Sequence, residues 1–489
     1  MSQIQVSNLT FTYEGSYDAV FQDVSFQIDT DWKLGLIGRN GRGKTTLLRL
    51  LLGVCPYQGT IKSSVPFEYF PMKIEDEEEC PMDQLPGDVP LWKVRRELSL
   101  MEADEGLLYR PFYTLSGGER TRIMMAVLFS RETDFLLIDE PTNHLDLQAR
   151  AQMGEYLKKK KGFILVSHDR NLLDQCVDHI LSINKEGLEI QKGNFTSWNE
   201  NRMKRDAFEA AENEKHRREI KRLEKAAGKT AVWSDKVEKT KNGQKVSGVK
   251  PDKGHIGAQA AKMMQRSKNL KQRRQAEIEQ KSALLKNKET TFELKLQPLD
   301  YHKNRILMMD NVQIYYGDNP GSPQVSFSVE QGDRIALCGR NGSGKSSILK
   351  LILGLNLSHT GQVQRGSQLK ISYVPQDTDG LAGKLKDYAR SEEIEESRFL
   401  AILNKLDFHG AQFEKDMKDF SQGQKKKVLL ARSLCEEAHL YIWDEPLNYI
   451  DVFSRMQIEE LLCGSNLTMI FVEHDRAFTE KIATKQVLL

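Results

Sequence analysis

The chain has 489 residues, more than one hydrophobic core of ordinary domain size accommodates, so two to four domains are expected. Its 39% hydrophobic and 29% charged residues and net charge of +2 are those of a soluble globular protein. No apolar run approaches the ~20 residues that cross a bilayer, which excludes a spanning helix. The opening MSQIQVSNLTFTY has no basic stretch followed by an apolar core, so no secretory leader is expected and the location reads as cytoplasmic. The six cysteines (Cys55, Cys80, Cys176, Cys338, Cys435 and Cys463) have no metal-like spacing and read as reduced thiols.

In chain order, the first strong element is an apolar strand, Trp32 to Ile37, running into GRNGRGKTT and a helix from Leu47 to Leu52. This is G-x-x-x-x-G-K-[ST] in its required strand–loop–helix setting. Gly38, Asn40, Gly41 and Gly43 let backbone N–H groups close around phosphate oxygens, Lys44 reaches the β/γ-phosphates, and the hydroxyls of Thr45 and Thr46 are placed to meet Mg²⁺ or phosphate. The helix N-terminus adds its partial positive charge. A Ser-Gly-Gly-Glu follows at Ser116, Gly117, Gly118 and Glu119. The strand of LLIDEPTNHLD then ends at Asp139, a candidate Mg²⁺ ligand, with Glu140 next as a candidate general base. ILVSHD ends a further strand at His168, a candidate contact to a terminal phosphate. Tyr13, in NLTFTY, is a candidate to stack on a nucleotide base.

The second half repeats the first. Arg334 to Cys338 leads into GRNGSGKSS, giving Gly339, Asn341, Gly342, Gly344, Lys345, Ser346 and Ser347, and a helix from Ile348 to Leu353. Tyr316 matches Tyr13, Ser421, Gly423 and Gln424 match the Ser-Gly-Gly-Glu, and Asp444, Glu445 and His474 match Asp139, Glu140 and His168. Ser116 and Glu140 are 24 residues apart, as are Ser421 and Glu445. Strands alternate with helices in both halves, so the fold class is α/β: two tandem nucleotide-binding domains, 1–198 and 303–489, each built on a parallel sheet.

Between them lies a basic segment. Residues 199–295 hold 26 Lys/Arg against 14 Asp/Glu, a net of +12 that leaves −10 on the rest of the chain. Strong helix formers with an apolar stripe at Phe208, Ala211, Ile220, Leu223 and Ala227 predict one helix, and residues 258–288 a second. Five glycines and Pro251 between 228 and 257 predict a break there. The reading is an antiparallel helical hairpin over 199–302, with a basic tip near 228–257 carrying Trp233, Lys241, Lys245, Val246, Val249, Lys250 and Lys253. A charged linker without a ligand is the alternative. The net +12 suits a polyanion bound through its phosphates.

With the phosphate loops, DEPTNHLD and SHD, Ser116 to Glu119 resembles the signature motif of ATP-binding cassette (ABC) domains. The resemblance covers both halves and implies ATPase activity with ATP and Mg²⁺. It also implies a monomer whose cassettes close head to tail, so that Lys44, Glu140 and His168 face the signature Ser421 to Gln424, and Lys345, Glu445 and His474 face Ser116 to Glu119. Gln376, in YVPQ, matches the family's Mg²⁺-sensing glutamine. Two departures stand out: Met72 where the first half should have that glutamine, and Gln422 where a signature glycine is usual. Both would fall in the Lys44 site and would make it the slower of the two.

Two cassettes, no membrane segment, a long basic linker and GNFTSW (Gly193 to Trp198) resemble the ABC-F family, whose members act on ribosomes. The extended tip, the degenerate second signature followed by Lys425 to Lys427, and a chain ending 15 residues after His474 are similar to the antibiotic-resistance branch, the Lsa- and Vga-like proteins. That resemblance implies docking at the tRNA exit site of the bacterial ribosome. It also implies contact of the linker with large-subunit rRNA and P-site tRNA, and protection against lincosamides, streptogramin A and pleuromutilins. A housekeeping ABC-F translation factor and the ATPase subunit of a transporter remain as alternatives.

Overall fold

The computed structural model describes residues 2–15, 19–87, 89–131, 134–143, 145–184, 187–241, 296, 298–317, 319–408 and 410–489, with helical positions 265, 268, 269, 272 and 273; side chains are described outside 223–241 and 411. Packing divides the chain into two units, Met1–Trp198 together with Glu293–Leu489, and Asn199–Phe292.

In the first unit, each half contains a largely parallel sheet whose inner strands are continuous apolar runs. FLLID and FILV in the first half, and LYIWD and MIFV in the second, are buried almost throughout because helices cover both faces. The first sheet runs Phe67–Phe70, Phe135–Asp139, Phe163–Val166, Lys33–Gly38, His179–Asn184 and Gly187–Lys192, the last strand antiparallel. The second runs Ile371–Val374, Leu440–Asp444, Met469–Val472, Arg334–Cys338 and Lys485–Leu488, all parallel. Each half adds an antiparallel sheet around its first strand, Gln3–Phe11 or Arg305–Tyr316. The repeat reaches backbone detail. The register of both first strands shifts at an asparagine with positive φ, Asn8 (52°) and Asn311 (51°). Asparagine tolerates this left-handed geometry better than most residues.

The two halves share apolar core. Trp198, almost fully buried, sets its ring 6.0 Å from that of Phe453, and Val452 belongs to the buried cluster of the first half.

In the second unit, the structure differs from the sequence reading. The helix Phe195–Lys241 has 47 residues, ~70 Å at ~1.5 Å per residue, and runs through Gly228. A single glycine costs a helix only about 1 kcal/mol, and no proline follows it before Pro251. Trp233 and Lys241 therefore lie on this helix and not in a tip loop beginning at 228. The expected apolar stripe also fails, because Phe208 is 65% exposed. Ala211 and Ile220 are nine residues apart, which at ~100° per residue places them on opposite faces. The covered positions instead include Arg202, Glu209, Asn213, His216 and Ile220, a seam with spacings of seven, four, three and four. Lys245, Val246, Val249, Lys250 and Lys253 lie outside the described residues, as does most of 258–288.

Candidate active site

Each phosphate loop joins the central strand to the helix Lys44–Leu51 or Lys345–Leu353. Gly43 and Gly344 cap these helices at φ +92° and +89°, and a Cβ would fall 2.6 Å from Val20 Cγ1 in the first and 2.4 Å from the Gly321 carbonyl in the second. Only glycine fits at either position. Lys44 Nζ donates to the carbonyls of Gly38 (2.8 Å) and Arg39 (3.3 Å), and Lys345 Nζ to those of Gly339 (3.0 Å) and Arg340 (2.8 Å). Burial pushes both ammonium groups below the usual lysine range. Asp451, Glu140 and Asp139 partly offset this at Lys44, and Glu445, Asp146 and Asp444 do so at Lys345.

The carboxylates stand at the carboxyl ends of the neighbouring strands. Thr45 Oγ1 donates to Asp139 Oδ2 at 2.8 Å, and the Ser346 hydroxyl bonds Asp444. Asp444 is buried and its Oδ1 has no hydrogen-bond partner. A buried orphan carboxylate oxygen beside a hydroxyl fits a hard divalent cation such as Mg²⁺. Among the described residues no group of three or more His, Cys, Asp or Glu side chains could hold a metal alone, so the cation's remaining ligands would be phosphate oxygens and water.

Glu140 and Glu445 follow these aspartates with φ of 52° and 46°, and their N–H groups donate to Val166 and Val472 carbonyls at 2.9 and 3.0 Å. This left-handed turn, uncommon for glutamate, aims the carboxylates out of the strands. His168 Nε2 lies 3.2 Å from Glu140 Oε1, and His474 Nε2 3.4 Å from Glu445 Oε1. Burial, with Lys44 and Arg455 nearby, holds the His168 imidazole well below its usual range.

The two glutamates then part. Burial and the Asp139 charge push Glu140 up to about 8, although Lys44 and Arg455 pull it down. At Glu445 burial acts upward as well, but the hydrogen bond and charge of His474 and the bonds from Asn448 and Gln376 outweigh it and hold the carboxyl below its usual range. Gln376 Nε2 donates to Glu445 Oε2 at 3.0 Å and Asn448 Nδ2 at 2.6 Å. Met72, the first-half counterpart of Gln376, packs instead against the apolar core.

The cassettes meet loop to loop. Asn40 Nδ2 donates to the Tyr449 carbonyl at 2.8 Å, and a Cβ on Gly423 would lie 3.1 Å from Asn40 Nδ2, so the second signature lies against the first phosphate loop. In the opposite sense, the Asn341 N–H points at Asp146 Oδ2 at 3.5 Å. A cavity of about 830 Å³ is lined by Gly117 of the first signature together with Lys345, Ser346, Gln376, Glu445 and His474. Arg39 pairs with Asp407 across the same interface at 2.8 Å.

One expectation changes here, and other site residues gain partners. Gln422 does not point at Lys44. Its side chain lines the Lys345 cavity and accepts a hydrogen bond from Thr378 of its own cassette. The helix N-terminus projects residues of its first turn sideways, which the signature's place in the repeat does not reveal. Glu119 and Gln424 close capping boxes on Ser116 and Ser421, accepting from their backbone N–H groups at 2.7 and 3.0 Å. The S-x-x-E/Q spacing was itself the signal for that role. Tyr13 and Tyr316 bond the second hydroxyls of the phosphate loops, Thr46 Oγ1 at 2.7 Å and Ser347 Oγ at 2.8 Å, and leave their rings 44% and 52% exposed. The sequence reading missed Tyr69, which donates to Asp139 Oδ2 at 3.1 Å, and Asn448. Asn448 was legible as the asparagine three residues after Glu445, on the same turn.

A profile of the ABC transporter family matches residues 21–143 and 323–448. The ribosome protection protein VmlR of Bacillus subtilis is 30% identical over 492 aligned residues, spanning 98% of this chain and 85% of that protein. The ATP-binding protein Uup of Caulobacter vibrioides is 27% identical (96% and 74% covered), and the probable ATP-binding protein YheS of Escherichia coli K12 is 26% identical (92% and 73%). In fold, the chain is similar to the archaeal ribosome recycling factor aABCE1 solved with the stalk protein aP1, with TM-score 0.63 at 17% identity over 98% of this chain and 87% of that one. Among the described residues no helix is long and apolar enough to cross a membrane. Paired phosphate loops, signatures and Asp-Glu turns on one chain, matched over nearly its whole length by these relatives, make it an ATP-hydrolysing member of the ABC family, in the ABC-F branch.

Proposed function

We propose that this ATPase is a cytoplasmic monomer that acts on the bacterial ribosome and protects the peptidyl-transferase centre from lincosamide, streptogramin A and pleuromutilin antibiotics. The observation that carries this reading is the 30% identity to a ribosome protection protein across 98% of the chain. The net +12 over 199–295 supports it, because a segment of that charge binds the phosphates of large-subunit rRNA or P-site tRNA, and such contacts supply most of the affinity of a polyanion complex. In this reading ATP holds the cassettes closed at the tRNA exit site and the linker reaches toward the drug site.

The same reading assigns the site residues. Gly38, Asn40, Gly41, Gly43, Lys44 and Thr46, with Gly339, Asn341, Gly342, Gly344, Lys345 and Ser347, hold the phosphates. Tyr13 and Tyr316 stack on adenine. Thr45, Asp139, Ser346, Asp444 and Gln376 serve Mg²⁺, which when bound neutralises developing phosphate charge. Glu140 and Glu445 orient and deprotonate the attacking water, beside His168 and His474. Ser116 to Glu119, and Ser421, Gly423 and Gln424, cap the opposite nucleotides.

The test is drug susceptibility of a sensitive bacterium with and without the gene, across several peptidyl-transferase inhibitors. A rise in inhibitory concentration for these three classes alone is expected. A second reading, a translation factor that needs no drug, is favoured by the 26–27% identities to proteins described only as ATP-binding. Unchanged susceptibility together with a translation defect on gene loss would select it.

A further inference from the structure

Lys426 is almost fully buried on the helix Gln422–Cys435 that follows the second signature. Its ammonium donates to three carbonyls: Pro375 at 2.7 Å, Gln376 at 3.0 Å and Asp444 at 3.4 Å. Those carbonyls belong to the loop that carries Gln376 and to the turn between Asp444 and Glu445. Four carbons above the helix, one cation thus fixes two otherwise separate segments. Gln422, one turn earlier, adds a bond to Thr378 of the same loop. In the first cassette the repeat places Thr121 where Lys426 stands. Thr121 Oγ1 turns back to the Gly117 carbonyl of its own helix at 2.9 Å, and the loop it would have to reach carries Met72 packed on the core.

We infer that Lys426 is a positioning residue for the Lys345 site, holding Gln376 and Glu445 in their mutual hydrogen bond, and that the first cassette lacks this device. Buried ammonium groups are costly, and one held beside Glu473, Asp444 and Glu445 with all three of its donors engaged by carbonyls has a positional task. The bond from Gln376 to Glu445 joins two groups whose backbones rest on the same nitrogen, so loss of that nitrogen frees both at once. The inference rests on the ATPase chemistry and not on the ribosome reading.

The test is Lys426→Met, which keeps the aliphatic length without the donors, and Thr378→Val, which removes only the outer bond. ATPase kcat is expected to fall about tenfold or more in Lys426→Met, with the KM for ATP changed less than twofold because all three donors go to the Pro375, Gln376 and Asp444 carbonyls and none to the phosphate loop. Hydrogen exchange of the nucleotide-free protein should rise in residues 376–379 and stay unchanged in 72–75. Thr378→Val should give a smaller change of the same kind, and its near-isosteric core packing keeps the test open if Lys426→Met does not fold. Unaltered kcat and exchange in a folded variant overturn the inference. So does exchange rising equally in both cassettes, which would make the lysine a general structural support.

Discussion

Asn40 and Tyr449 are 409 residues apart and share a hydrogen bond of 2.8 Å, from the amide of the first phosphate loop to a backbone carbonyl in the second cassette. Tyr449 holds φ of 64°, rare for a tyrosine, and that turn directs its carbonyl at both Asn40 and Gly423. Nucleotide site and cassette interface are therefore one structure, and changes at either should appear in both.

Replacing Glu140 and Glu445 together with glutamine removes both candidate bases while keeping their shape. ATP binding should persist and steady-state hydrolysis should fall by about 100-fold or more. Nucleotide-binding titration and phosphate release measure the two effects. A double variant that hydrolyses ATP at the wild-type rate would disprove the assignment.

The single variants should differ. Glu445 is ionised well below neutrality, whereas burial and Asp139 raise Glu140 to about 8. A base works only when deprotonated, so Glu445→Gln should lower kcat at pH 7 much more than Glu140→Gln. The residual activity of Glu445→Gln should climb as pH rises through about 8, while that of Glu140→Gln stays nearly flat between pH 7 and 9. Equal losses and parallel profiles would show that the asymmetry has no catalytic consequence.

Tyr13→Ala and Tyr316→Ala should each weaken ATP binding at their own site by ~1–3 kcal/mol, the usual worth of stacking a base on an aromatic ring. Tyrosine-to-phenylalanine changes lose only the bonds to Thr46 and Ser347 and should cost less. Fluorescent-nucleotide titration separates the two. Alanine and phenylalanine variants that bind alike would remove the stacking role.

Glu459 is fully buried; it pairs across the interface with Arg170, Nη1 to Oε2 at 3.2 Å, and within its own cassette with Lys481 at 3.1 Å. In the repeat, Gly154 occupies the matching place in the first cassette. Glu459→Ala leaves Arg170 without its carboxylate and should destabilise the protein by about 3 kcal/mol. Urea unfolding measures this, and a loss under 1 kcal/mol would mean that Asp475, 3.8 Å from Arg170, takes over the pairing.

On the proposed function, deleting residues 243–248 should abolish drug protection while ATPase activity and ribosome binding persist, because the phosphate loops, signatures and Asp-Glu turns all lie outside that segment. Susceptibility tests and ATPase assays on the same variant decide it. Protection that survives the deletion would move the drug-facing role to the helices or the cassettes.

Local rules made most of the cassettes legible in the sequence. A phosphate loop needs glycine at fixed positions, a buried parallel strand needs an unbroken apolar run, and the repeat showed each feature twice. Gly43 and Gly344, Asp139 and Asp444, and Glu140 and Glu445 all stand where those rules put them. Features set by distance in space were not legible. Gln422 has the same address in the signature as Gly117, yet its side chain reaches Thr378 because helix direction, not sequence register, decides where it points. In the sequence Lys426 is one of three successive lysines, and only the fold, closing over it, offers its ammonium three carbonyls. The linker fails the local reading for the opposite reason: a helix is cooperative, so the residues around Gly228 outvoted the one that should have broken it. Sequence determined which chemical groups the two sites contain. Tertiary structure decided which glutamate stays charged: both follow an aspartate in the chain, and they differ in the burial and hydrogen bonds that surround each carboxylate.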